Sequence, residues 1–324
     1  QRASWKSILD TQHSAVPTCM IRLAIFALAL VLSGSHTAQA PGPDEGSKFN
    51  LLIIETDEHN FRTLGCYRNT LSSEQAFMWG KDAVVETPHI DRLAAEGALC
   101  TSFYATSPVC SPSRGALVSG RYPQNNAVVS NDTPLDDEVL TFAEQLRRKG
   151  WVTGYAGKWH LDGIAKPGWA PRRKFGFSDN RFMFNRGHWK NFRLTEDGAE
   201  VGATNAKGKP SYDVAGADET TFSTDFLTDR AVDFIRENAS QPFCYMLSLP
   251  DPHGPDTVRA PYDSMYKGQE FSKPRTFDVS TADAPSWAKP AGRFQNMAGY
   301  FGMVKCIDDN VGKLLEALEE EGIL

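Results

Sequence analysis

Short apolar runs that alternate with helix-periodic segments constrain the fold of this 324-residue chain more than any other feature. Asn50–Thr56, Trp151–Ala156 and Pro242–Leu249 are each too short for a helix and too continuously apolar for a strand with one wet face. Between them, apolar residues recur at three- and four-residue intervals. Thr87-Pro88 opens a helix that stops at Gly97 and carries Ile90, Leu93 and Ala94 on one face. Glu138–Lys149 runs through Val139, Phe142 and Leu146 to a stop at Gly150, and Ser223–Asn238 follows the same period. Asn296–Glu320 is long and amphipathic through Met303, Ile307, Val311, Leu314 and Leu318. Strand-helix alternation of this kind predicts an α/β fold with a mainly parallel sheet covered on both faces. Cys100–Ala105 reads as a further strand, and Gly163–Thr220, rich in Gly, Asn, Arg and Lys, as long loops suited to substrate recognition.

The net charge of −6 gives no basis for a nucleic-acid partner or an anionic membrane surface. An anionic ligand would have to be met by a local group of cations. Residues 20–40 have the layout of a secretory signal: Met20, basic Arg22, the apolar run Leu23–Leu32 and the small-residue site Ala38-Gln39-Ala40. That run is too short to span a bilayer, so the expectation is export without stable membrane insertion, as a periplasmic, cell-surface or secreted protein. Residues 1–19 read as a leader foreign to the natural protein. The six cysteines include no Cys-x-x-Cys pair, which leaves out zinc-ribbon and redox spacings and favours packing roles for those with no other use.

The chemistry concentrates at Cys110-Ser111-Pro112-Ser113-Arg114, followed by Ser119-Gly120-Arg121. Pro112 suits the first turn of a helix, which puts Cys110 at a helix N-terminus whose amides and dipole attract an anion. The alternative for an isolated cysteine there is an inert buried thiol. This run resembles the signature of the sulfatase family. The resemblance implies an alkaline-phosphatase-like three-layer α/β sandwich, and oxidation of Cys110 to formylglycine by a separate generating enzyme. The hydrated aldehyde would act as nucleophile, with Arg114 stabilising it. It further implies one divalent cation, Ca²⁺, held by Asp57, Glu58 and the modified Cys110; Asp57-Glu58 departs from the family's usual Asp-Asp or Asp-Gln.

Gly157-Lys158-Trp159-His160 matches the family's Gly-Lys-x-His segment. In an extended stretch Lys158 and His160 would share one side, Lys158 contacting sulfate and His160 the hydrate. Pro252-His253-Gly254-Pro255 resembles the family's Pro-His-x-Pro turn, with His253 as general acid to the departing alcohol and Asp251 as a nearby partner. Arg181, Arg186, His188, Trp189 and Lys190 form a basic and aromatic cluster that reads equally as a substrate lid, with a sugar stacked on Trp189, or as solvated surface. Residues 41–324 then correspond to the N-terminal portion of a sulfatase catalytic domain, with further metal ligands and a sulfate-binding lysine expected beyond Leu324 and no activity expected of the fragment alone. The expected substrate is a sulfate ester, most plausibly a sulfated carbohydrate. The rival readings are a phosphonate or phosphate monoester hydrolase of the same superfamily and a catalytically silent sulfated-glycan-binding relative.

Overall fold

The fold was analysed in a computed structural model that describes residues 49–275 and 296–324. The leader and signal readings for residues 1–40 lie outside these. Four strands, β1 (Leu51–Thr56), β2 (Val152–Lys158), β3 (Asp179–Phe184) and β6 (Phe243–Leu249), form one parallel sheet in the order β1-β6-β2-β3. β4 (Phe192–Thr195) and β5 (Gly198–Val201) make a separate antiparallel hairpin. The principal helices are α1 (Pro88–Glu96), α2 (Cys110–Ser119), α3 (Phe142–Arg148), α4 (Ser223–Asn238) and α5 (Met297–Glu320).

Every residue of β6 is buried, and side chains alternate between two cores. Phe243, Tyr245, Leu247 and Leu249 face a cluster built with Phe226, Leu227 and Phe234 of α4 and Ile307 and Leu314 of α5. Met246 and Tyr155 face the other cluster, with Val118 of α2 and Ala143 of α3. Each large side chain so buried contributes about 1.5–3 kcal/mol. The result is the expected three layers. Parallel strands place all their C-terminal ends on one edge, which is where ligands meet open α/β sheets. Among the described residues, no helix is long and apolar enough to cross a membrane. The described cysteines are all unpaired; Cys244 and Cys306 are buried packing residues, whereas Cys100 is exposed.

Several expectations needed correction. Cys100–Ala105 is not a strand: Phe103 and Tyr104 are more than four-fifths exposed, and the fourth place in the sheet belongs to β3. The Gly163–Thr220 stretch is not simply loop, because it supplies β3 and the β4-β5 hairpin. Helix α3 starts at Phe142 rather than Glu138, since the Thr141 hydroxyl caps it by accepting from Glu144 N (3.1 Å) and donates to the Phe175 carbonyl (2.6 Å). Thr87 does not cap α1. Its hydroxyl accepts from Gly65 N, and the α1 amides of His89 and Ile90 are instead capped by the Asp308 carboxylate of α5 at 3.1 and 2.9 Å. Leu93 on α1 is exposed among the described residues.

Candidate active site

The helix α2 begins at Cys110, as its proline predicted, and its dipole points at the sheet edge. Ser111 N donates to Asn131 Oδ1 (3.0 Å) and Pro112 has no amide, so the anion-attracting end is narrower than a helix start alone implies. Ser111 Oγ donates to the His160 carbonyl at 2.8 Å, which ties the start of α2 to the segment after β2. Burial pushes the Cys110 thiol above its ordinary pKa, and the nearby Lys158 and Arg114 charges only partly oppose this.

Arg114, one turn along α2, is buried beneath that thiol. Its Nη1 donates to Glu55 Oε2 (2.9 Å), the Lys158 carbonyl (2.7 Å) and Ser248 Oγ (2.7 Å), and its Nη2 lies 3.6 Å from Asp57 Oδ2. The sheet register explains the convergence, because Glu55 of β1 and Gly157 of β2 both lie level with Ser248 of β6. Burial works against charge on Arg114, but Glu55 and Asp57 raise its pKa and keep it a cation.

Asp57 follows β1 and is buried. Burial opposes its ionisation, yet Arg114 and Lys158 hold the carboxyl down to about 2. Lys158, fully buried at the end of β2, donates from Nζ to Asp57 Oδ2 at 2.5 Å and lies 2.8 Å from His188 Nε2. His160 is not in extended backbone, having φ of 59°, so the two-residue alternation that placed it beside Lys158 does not apply. Its Nε2 faces Asp132 Oδ1 at 3.1 Å, and Arg186 pairs with the other Asp132 oxygen at 3.1 Å. Burial first, then the Lys158 charge, lower the His160 pKa to about 4 against the pull of Asp132. The neutral ring therefore gives Nε2–H to Asp132 and keeps Nδ1 as an acceptor, and this buried Nδ1 has no protein partner.

His253 sits in the loop just past β6. Its Nδ1 meets the Gly254 carbonyl at 3.0 Å, and Nε2 lies 3.3 Å from Glu58 Oε1. The His188 ring stacks on the His253 ring at 3.4 Å between centroids and 8° between planes. Burial, followed by the charge of Lys158, lowers the His188 pKa to about 2. Asp251 does not touch the His253 ring. Instead its carboxylate is buried against Lys190 Nζ (2.5 Å) and the Thr224 hydroxyl (2.6 Å).

Asp57, Arg114, Lys158, Cys110 and His253 thus belong to one electrostatic group at the sheet edge, with His160 reached through Ser111. Glu58 stands apart: it is 61% exposed and directed to His253. Among the described residues, Asp57, Glu58 and Cys110 do not bring ligand atoms within 4.8 Å of one another. Hard cations of the Ca²⁺ type take six to eight oxygens, and Asp57 is the one buried carboxylate here suited to such an ion. These residues therefore do not form a complete cation site, and no chemical step is assigned through a metal. The Arg181–Lys190 cluster divides. Arg181 pairs with Asp179 on the surface, and Trp189 is buried and cannot stack on a sugar; His188 enters the site, and Lys190 is buried behind it against Asp251 and the His253 carbonyl. Glu55, Ser248 and Asp132 escaped the sequence reading; Glu55 and Ser248 were signalled only by their position near strand ends, and Asp132, in a turn far from any strand, by nothing.

A family model described as Sulfatase matches residues 50–324. The chain belongs to the sulfatase family. This sulfatase-family chain is 27% identical over 287 residues to the ulvan-active sulfatase of Formosa agariphila, covering 86% of the chain and 49% of that protein. It spans about half the length of the curated relatives it matches. Its fold is similar to a solved complex of a protein with its substrate D-glucosamine-2-N,6-O-disulfate (TM-score 0.58, 20% identity, 86% of this chain and 63% of that one). It is similar as well to the phosphonate monoester hydrolase of Agrobacterium radiobacter (TM-score 0.56, 21% identity, 85% and 60%). These likenesses establish the alkaline-phosphatase-like α/β fold of sulfatases.

Proposed function

We propose that the protein hydrolyses a sulfate ester, on a sulfated carbohydrate, with the side chain of residue 110 as nucleophile after conversion to formylglycine by a generating enzyme. The observation that carries this reading is Cys110 at the start of α2, within electrostatic reach of the buried cations Lys158 and Arg114. Family members generally carry formylglycine and a divalent metal, and the Formosa relative is, by its name, a sulfatase active on ulvan. Export after residue 40 would bring the enzyme to such substrates.

The aldehyde hydrate at residue 110 would supply two hydroxyls on one carbon, one to displace the alcohol at sulfur and the other to let sulfate depart. Lys158 and Arg114 oppose the negative charge that gathers there, in a buried setting where fixed charges act strongly. His253, its Nδ1–H held by the Gly254 carbonyl and its Nε2 beside Glu58 Oε1, would act in its doubly protonated form, delivering the Nε2 proton to the leaving alcohol oxygen. His160, with Nε2–H committed to Asp132, has Nδ1 available to accept a proton when the second hydroxyl ionises.

The test is the intact protein co-expressed with a formylglycine-generating enzyme. The Cys110 peptide is expected to take an aldehyde-specific label, and kcat/KM for an aryl sulfate to exceed that for the matching phosphate and phosphonate. Cys110→Ala is expected to abolish both label and turnover. Absence of a carbonyl at residue 110 defeats the formylglycine reading, and a preference for the phosphonate replaces the sulfatase reading with the phosphorus one.

A further inference from the structure

We propose that Lys190 is a positioning residue that sets the His253 imidazole for proton delivery to the leaving group; this rests on the sulfatase reading above. Lys190 and Asp251 are both fully buried, and their ion pair lies in the interior rather than at the pocket surface. Placing two charges there costs several kcal/mol per ion, and well-packed apolar pairs are often as stable. Its geometry supplies a reason for the pair.

From one ammonium, Lys190 donates to Asp251 Oδ1 (2.5 Å) and to the His253 carbonyl (3.1 Å), and it rests 3.1 Å from Met303 Sδ of α5. The other Asp251 oxygen takes the Thr224 hydroxyl of α4, and the Asp251 carbonyl accepts from Asp57 N at 3.1 Å. A single buried pair therefore joins the loop bearing His253, the turn bearing Asp57 and the helices α4 and α5. Two residues before Lys190, His188 stacks flat on the His253 ring and meets Lys158. The segment from His188 to Lys190 thus grips His253 twice, at its ring and at its backbone. Loops are the mobile part of most folds, and a displacement of about 1 Å at a reacting group can cost about 100-fold. In the reaction the oxygen–sulfur bond to the alcohol breaks as a new one forms from a hydroxyl at residue 110, whose own proton passes to solvent, and the alcohol oxygen takes its proton from Nε2 of the doubly protonated His253. Fixing that imidazole therefore matters most when the leaving oxygen is strongly basic.

The experiment measures kcat and KM of the intact, formylglycine-bearing protein and of Lys190→Met on aryl sulfates of rising leaving-group pKa. Lys190→Met/Asp251→Asn is measured alongside, because it removes the unpaired buried charge that could prevent the single variant from folding. In both variants kcat is expected to fall about 10- to 100-fold for the most basic leaving group, the range of general acid assistance. For the least basic it should stay within about 3-fold, and KM within about 2-fold, giving a steeper dependence on leaving-group pKa. Equal loss across the series, or no loss, overturns the positioning role. Wild-type protein inactive on the whole series overturns the sulfatase reading instead, so the two failures are distinct.

Discussion

Under the proposed conversion Cys110 would carry two contradictory demands: access for a modifying enzyme, and a place in the folded chain where its thiol is half-buried and pushed above its ordinary pKa. Unmodified protein at pH 7.5 is accordingly expected to alkylate with iodoacetamide more slowly at Cys110 than a free cysteine does, because the thiolate is the reactive form; peptide mass spectrometry over time reads this out. His160 gives a pH dependence whose sign follows from burial. Its pKa is about 4 when folded and about 6.5 when unfolded, so between those values the unfolded chain binds more protons. Stability is then expected to fall by about 3 kcal/mol as pH drops from 6.5 to 4 and to level off below. Urea unfolding of His160→Asn at pH 4.5 and 7 should show that part of the slope removed; an unchanged slope contradicts the assignment. The Cys110, Arg114, Lys158 and His253 positions were legible because each sits in a compact motif. His188 and Lys190 were legible only as members of a cluster left open between substrate lid and solvated surface, since their partners Lys158 and His253 lie 30 and 63 residues away in sequence.

At the scale of elements, β2 depends on one backbone position. Gly157 has φ of 107°, and a Cβ there would overlap the Ser248 carbonyl oxygen of β6. Gly157→Ala is expected to cost at least about 3 kcal/mol, through clash and left-handed strain together, with loss of activity because Lys158 follows directly; urea midpoints of the two proteins check it. β6 was readable from sequence because a buried parallel strand is apolar on both faces, and β1, although half-buried, carries a similar apolar run. β3 was not, because Asp179-Asn180-Arg181 dilutes its apolar signal while Asn180 is buried by donating to the Pro171 carbonyl. The reverse error at Cys100–Ala105 has the same root: an apolar run is a strand only where a neighbouring strand offers hydrogen bonds. For α1 the Thr87-Pro88 pair marked the start correctly and only the source of its cap, Asp308, was hidden, whereas the start of α3 was decided by Thr141 bonding to Phe175, a contact no local pattern announces.

Across the whole molecule, the layer of α4 and α5 is joined by a buried carboxylate. Asp225 takes two bonds from Arg259 at 2.7 and 2.8 Å, one from Asn310 Nδ2 at 3.1 Å, and faces Lys313 at 3.3 Å. Asp225→Ala would strand Arg259 with no anion, and is expected to destabilise by about 3–5 kcal/mol, measured by chemical denaturation; Asp225→Asn should lose less. The three-layer arrangement was legible from alternation alone, since it needs only the order of apolar periods and not their partners. One consequence follows from β1, which pairs with β6 on one side and, among the described residues, with no strand on the other. Its outward amides and carbonyls run straight to Asp57. A polypeptide that zips onto this margin parallel to β1 would bring its own final side chains to the Asp57 end of the sheet, so extending the ladder and furnishing the pocket would become a single event.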